Sequence, residues 1–315
     1  MNENVRLCLL KHEQLAERSV RLLLVSRRFL NLLYGADNSI HLQVGFNGFQ
    51  LNKSFNFSVT QICFLFKLLG PNRVYLQCRF FPRHRPLTFD DFRNVQIVCN
   101  ELGKVNELKV GMASRPQIQQ LLLDQLPKRI AEISCRPRDC LMLSDREIGL
   151  LIVRRDYGEH EDFNHLFRVN ARKILFPYLA YCNLSNTGPL KQNESIEEVQ
   201  IDIRDAFIYN QWIANYITYF STIFTNLRTI NNKLTVRLSL PLRSHEKKFE
   251  QFFCIVHSLI DCAKDAHLLV SRFVIHINGH HPNFLEFLNR TKRSTGESLF
   301  YKNTEIEVRS DHSID

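Results

Sequence analysis

The sequence predicts an α/β fold built from irregular strand–helix units, with a mixed α+β arrangement as the alternative. Three observations predict it. Short segments with a two-residue apolar period alternate along the chain with longer segments of helical period. Three of the short segments, Val105-x-x-Leu108-x-Val110, Ile130-x-x-Ile133-x-Cys135 and Ile196-x-x-Val199-x-Ile201, share apolar residues at i, i+3 and i+5. Finally, a 44% hydrophobic fraction with 24 Phe in 315 residues supplies a core for one large domain or two ordinary ones.

The elements follow in order. Residues 15–33 contain no Gly or Pro and read as a helix of about five turns. Residues 40–49 alternate as a strand, with Gly45 and Gly48 marking bends or bulges. Ser58-Val-Thr-Gln61 reads as a capping box opening a helix to Leu69, which Gly70-Pro71 stops. Val74, Leu76, Cys78 and Phe80 alternate as a strand, broken by Pro82 and Pro86. Strands are expected at Val95-Gln-Ile97, Leu108-Lys-Val110 and residues 130–135, with a helix over 115–126 capped by Ser114. A helix over 164–179 leads to a Ser-, Asn-, Gly- and Pro-rich loop at 184–194. Strands at 196–203, 234–240 and 270–277 then alternate with helices at 205–225 and 245–266, and a last strand is expected at 305–308.

The i, i+3, i+5 spacing is the apolar skeleton of a leucine-rich-repeat strand. Its intervals here are unequal and the repeat asparagine is missing, so the reading is a degenerate array. Three regions are expected: a helical segment at 1–35, a strand–helix region at 36–290 with a sub-boundary near 184–195, and a polar tail at 291–315.

Formal net charge is +9, from 41 Lys and Arg against 32 Asp and Glu, but the basic residues come as scattered doublets such as Arg27-Arg28 and Arg154-Arg155. Arg79-Phe-Phe-Pro-Arg-His-Arg85 is the best basic–aromatic segment for nucleic acid. Phe80 more simply continues a strand, so nucleic-acid binding is the least favoured reading. Nine Cys at irregular spacing, mostly inside apolar segments, suit free thiols in a reducing compartment. With no signal-peptide pattern at residues 1–5 and no stretch of 18 apolar residues, a cytoplasmic or nuclear protein without a membrane partner is expected.

Catalytic chemistry finds no support. Glycine loops for phosphate and the Gly-x-Ser-x-Gly nucleophile turn are absent, so a non-enzymatic protein without cofactor is expected. Cys254, His257, Cys262 and His267 have ligand-like spacing. On a helix, at about 100° per residue, they diverge, whereas Phe249, Phe252, Phe253, Val256, Leu259 and Ile260 share an arc. A core helix is therefore expected, and no metal. His276-x-x-x-His280-His281 sits on a strand end and a Gly/Pro turn; it could offer metal ligands, but with no acidic or Cys partner in sequence a surface turn is the default. Cys135-x4-Cys140, flanked by Arg136 and Arg138, invites a depressed thiol pKa, though a strand-end cysteine beside a basic loop is the simpler reading.

The first helix carries more. Leu23 and Leu30 lie on one side, Val25, Phe29 and Leu32 on the other, and Val20 and Leu24 between. A helix apolar round most of its circumference needs cover on more than one face. Residues 4–12 followed by 18–29 resemble a shortened F-box, with the sharpest match at Leu24-Val-Ser-Arg-Arg-Phe29. The rest resembles, by general texture, the helix–strand region of nematode-type F-box proteins. The Leu-Pro segment with which that family opens has no counterpart ahead of Val5. The resemblance implies a substrate-recognition subunit of an SCF-type (cullin–RING) ubiquitin ligase. Leu9, Leu10, Leu24, Val25 and Phe29 would bind a Skp-type adaptor and through it a cullin, leaving the C-terminal region for an unknown protein substrate. A protein-interaction scaffold that has lost adaptor binding is the alternative.

Overall fold

The structure, a computed structural model, describes residues 39–45, 48–51, 55–69, 71–78, 88–111, 123–154, 163–177, 192–203, 210–239, 254–261, 270–278, 299–301 and 304–310. The expected helix at 15–33 lies outside them, and so do the segments 79–87 and 178–191. The chain divides into two compact units, parted between Ser134 and Cys135.

In the first unit β1 (Ser39–Gly45) turns back into β2 (Gly48–Leu51), which pairs antiparallel with β3 (Phe55–Phe57). Gly45 and Gly48 face each other across the first pairing. They therefore stand at the facing ends of two antiparallel strands, where the sequence suggests bends or bulges within one strand. Helix α1 (Val59–Leu69) starts at the expected capping box. The Ser58 amide donates to Gln61 Oε1 at 2.8 Å, and the Gln61 amide donates to Ser58 Oγ at 3.3 Å. Strand β4 (Arg73–Cys78) follows and pairs parallel with β1.

Helix α2 (Phe89–Leu102) then takes up Val95-Gln-Ile97, where the sequence suggests a strand. Two β-branched residues favour a strand locally. The wider window overrides them, because Val95, Val98, Cys99 and Leu102 are all buried at helical spacing. Strands β5 (Glu107–Gly111) and β6 (Arg129–Cys135) complete this unit in parallel, giving the order β6-β5-β4-β1-β2-β3. Residues 123–125 are the described part of the helix expected over 115–126.

The second unit follows one rule more strictly. Strands β7 (Glu147–Val153), β8 (Ala171–Phe176), β9 (Glu198–Ile203), β10 (Lys233–Ser239), β11 (Arg272–Asn278) and β13 (Thr304–Ser310) lie parallel, each beside its predecessor. Only β12 (Leu299–Tyr301) departs, pairing antiparallel on the outer side of β13. These last two strands fall within the stretch expected as a polar tail. Helix α3 (Asn210–Ile223) and residues 254–261 match expected helices, but the helix expected over 164–179 is not formed. A short 3-10 helix, Phe163–Arg168, and β8 stand there instead. Ala171-Arg-Lys-Ile-Leu is rich in helix formers, yet pairing on both sides with β7 and β9 decides its conformation.

The core lies on one face of each sheet. In the first unit it gathers Ile40, Leu42, Val74, Leu76, Leu108 and Val110 with Ile62 and Phe66 of α1, all buried. In the second, Phe176 of β8 stacks on Phe220 of α3 with ring centroids 4.5 Å apart, and Phe224 follows at 5.8 Å from Phe220. Each fully buried side chain of this size contributes about 1.5–3 kcal/mol. The i, i+3, i+5 pattern is wider than the sequence reading found. Buried triplets also run Ile148, Leu151, Val153; Ala171, Ile174, Phe176; and Val270, Phe273, Ile275. Of the three triplets noticed in the sequence, only Val105 is half-exposed.

Candidate functional site

Strict alternation along a strand sends every second side chain to the face away from the core. Because the strands are parallel and in register, these residues line up as rows across each sheet. The first unit carries three: Ser39, Arg73, Glu107; His41, Tyr75, Lys109, Glu132; and Gln43, Gln77, Gly111, Ser134.

The middle row is a continuous chain of lateral contacts. The His41 and Tyr75 rings stack with centroids 4.5 Å apart and planes 9° from parallel. Lys109 Nζ lies 5.5 Å from the Tyr75 ring centre and 2.8 Å from Glu132 Oε2. Arg73 Nε donates to Glu107 Oε2 at 2.6 Å in the neighbouring row. The hydrogen bond to Glu132 is the main cause that holds the Lys109 ammonium above its ordinary pKa, against the opposing effect of burial. Arg73 is raised by its hydrogen bond to Glu107 in the same way.

The second unit continues the theme with longer rows. One runs Leu150, Lys173, Glu198, Lys233, Arg272 and the next Ile152, Leu175, Gln200, Thr235, Val274. A third places Asp202, Arg237 and His276 side by side. Glu198 takes Lys173 Nζ at 2.8 Å and Lys233 Nζ at 3.3 Å. Burial pushes its carboxyl pKa up, but the two ammonium groups outweigh burial and hold it below the ordinary value. Gln200 Nε2 donates to Asp202 Oδ1 at 2.7 Å.

Chemically these rows offer paired charges, amides and an aromatic pair on adjacent strands, although Gln43, Ser134, Thr235 and Val274 within them are buried. Their residues were visible in the sequence only as the off-face members of alternating strands. Their juxtaposition comes from register, which local spacing does not encode.

The residues singled out from the sequence are distributed as follows. Leu9, Leu10, Leu24, Val25 and Phe29 lie outside the described residues, as do Arg79, Arg83, Arg85, Cys262, His267, His280 and His281. Cys254 and His257 are exposed while Ile255, Val256, Leu259 and Ile260 are buried, so this helix is a core helix as its periodicity indicates. His276 stands in β11, on the strand expected over 270–277. Cys135 ends β6 and meets Cys140, on the 3-10 helix Pro137–Leu143, with the two Sγ atoms 3.8 Å apart. The simpler reading, a strand-end cysteine beside a basic loop, is the one that stands, and the alternative of a depressed thiol pKa is overturned at Cys140. Its hydrogen bond with Cys135, and then burial, push it well above the ordinary value. Cys99 is likewise pushed up by burial, to about 12.

Among the described residues no three or more His, Cys, Asp and Glu gather as a metal site, and no helix is long and apolar enough to cross a membrane. No family model, curated protein or solved structure matches the chain.

Proposed function

We propose that the protein is a non-catalytic substrate-recognition subunit of an SCF-type (cullin–RING) ubiquitin ligase. The observation that carries the reading is Leu24-Val-Ser-Arg-Arg-Phe29 in a helix apolar on opposite sides, which resembles the F-box signature. In this reading Leu9, Leu10, Leu24, Val25 and Phe29 bury against a Skp-type adaptor. The association is stabilised by apolar burial at about 25 cal/mol per Å², less the cost of lost freedom.

The body supports a receptor role. Parallel strands added in chain order, with i, i+3, i+5 buried triplets at β6, β7, β8, β9 and β11, resemble a degenerate leucine-rich repeat, an architecture that presents successive strand faces as one extended binding surface. The rows of paired charges, amides and aromatics on the other face suit an extended protein segment. They suit nucleic acid poorly. Lys109, Lys173 and Lys233 are each within salt-bridge distance of a carboxylate of the same face, and a phosphate backbone needs cations that are available for counterion release.

Co-expression with a Skp-type adaptor and affinity purification tests the proposal. The full-length protein is expected to retain the adaptor, and Leu24→Asp with Phe29→Asp to lose it while the thermal unfolding midpoint of the body stays unchanged. Failure of the unmodified chain to retain the adaptor sinks the adaptor claim and leaves the scaffold reading. Binding to oligonucleotides that falls steeply with salt would favour nucleic acid over both.

A further inference from the structure

We propose that Cys135 and Cys140 form a two-electron redox pair, a dithiol at rest that closes to a disulfide when a peroxide oxidises it. The inference is independent of the adaptor reading. Both side chains are buried, at 1% and 0% exposure, with their Sγ atoms 3.8 Å apart. The segment between them is held twice: the Asp139 amide donates to the Arg136 carbonyl at 3.0 Å, and Arg136 Nε donates to Asp139 Oδ2 at 3.0 Å. The strand end on one side is tied as well, since the Cys135 carbonyl accepts from the Arg154 amide at 2.7 Å. Two sulfurs are thus kept facing each other by backbone that does not need to move far. A disulfide requires about 2.0 Å, so the remaining approach is roughly 1 Å from each side, within the range of side-chain rotation.

The chemistry balances with hydrogen peroxide as oxidant. One sulfur, as thiolate, attacks a peroxide oxygen; the O–O bond breaks, a sulfenic acid forms, and hydroxide takes up the thiol proton and leaves as water. The second sulfur then attacks the sulfenic sulfur. An S–S bond forms, the S–O bond breaks, and a second water leaves. Both cysteines are oxidised and the peroxide is reduced to two waters. The neighbouring sulfur and burial hold the Cys140 thiol protonated, and because the thiolate is the reactive form, closure is faster as pH rises.

Peptide mapping of full-length protein treated with hydrogen peroxide under native conditions decides the matter. After alkylation of the remaining thiols, tryptic cleavage at Arg129, Arg138 and Arg146 puts Cys135 in peptide 130–138 and Cys140 in peptide 139–146, each with a single cysteine. The expected product is these two peptides joined by a disulfide, formed several-fold faster at pH 9 than at pH 7. In Cys140→Ser, Cys135 is expected to accumulate instead as a sulfenic acid that a dimedone-type reagent captures. If that variant does not fold, the mapping of the unmodified chain decides alone. Recovery of both peptides as alkylated free thiols, after exposed Cys254 has been fully oxidised, overturns the proposal. So does pairing of either cysteine with a different partner.

Discussion

Two strand approaches, one in each unit, solve the same problem differently. Before β5, helix α2 unwinds through a turn whose own main chain closes it: Gly103 amide to Cys99 carbonyl at 3.1 Å, Lys104 to Glu101 at 3.1 Å and Val105 to Leu102 at 3.1 Å, with an exposed Lys104–Glu101 side-chain pair at 2.9 Å outside it. Before β8 and β9, the short 3-10 helix Phe163–Arg168 ends on a long main-chain bond, Val169 amide to Leu166 carbonyl at 3.3 Å. There the buried Asn193 intervenes. Its Nδ2 donates to the Leu166 carbonyl at 3.0 Å and to the Val169 carbonyl at 2.8 Å, while its Oδ1 accepts from the Ser195 amide and hydroxyl, each at 2.8 Å. Its main chain meanwhile pairs with Ile223 and Thr225. A full helical turn satisfies its own end, whereas a short crossover needs a polar side chain brought in from elsewhere. The first arrangement tolerates substitution and the second does not.

The largest effect should come from breaking the side-chain solution. Asn193→Ala removes the amide donor from two carbonyls, which keep only the Val169 amide at 3.3 Å and the Ser195 hydroxyl at 3.1 Å, and takes the acceptor from the Ser195 amide, so a loss of about 2 kcal/mol is expected from chemical denaturation. A loss below about 1 kcal/mol would mean that water or a shifted backbone replaces the asparagine, and the contrast between the two approaches would vanish.

Smaller and dependent on pH is the effect of Glu198, between β8 and β10. Its folded pKa lies below the unfolded value, so its contribution is present above the ordinary carboxylate range and is lost as pH falls through the depressed value. With Lys173 half-exposed, Glu198→Gln should lower stability at neutral pH by no more than about 1 kcal/mol. Unfolding of the two proteins measured across the acid range should converge once the carboxyl is protonated. A gap that persists undiminished at the acid end would assign the effect to packing.

The smallest effect, and of opposite sign, is expected at the main-chain solution. A Cβ added at Gly103 would meet nothing nearer than the Asn100 carbonyl oxygen at 3.4 Å, an ordinary contact. Gly103→Ala should therefore stabilise slightly, by about 0.4–1 kcal/mol, through the unfolded chain. Destabilisation would show that the turn needs glycine after all.

The same contrast explains what the sequence made legible. Helix α1 and strands β5, β6, β9, β10, β11 and β13 are expected where they stand, because each carries its own period and, for α1, its own capping box. Val95-Gln-Ile97 and residues 164–179 misled for one reason: local propensity pointed one way, and packing with distant segments pointed the other. The rows on the sheet faces were invisible for a stronger reason. Arg73 and Glu107 are 34 residues apart and Lys173 and Glu198 stand on different strands, so only the register, set by whole strands, brings them together. Asn193 sits in the polar approach to a strand and reads as loop, although its side chain closes a buried network.

The chain-order stacking of β7 to β11 has a consequence for how the protein is made. A strand that docks on its immediate predecessor finds its partner already synthesised, so no segment has to wait for a distant one before it can pair. Growth from the ribosome can then proceed as successive additions to a seeded edge. Only β12 reverses this order, having to await β13 before it has a neighbour.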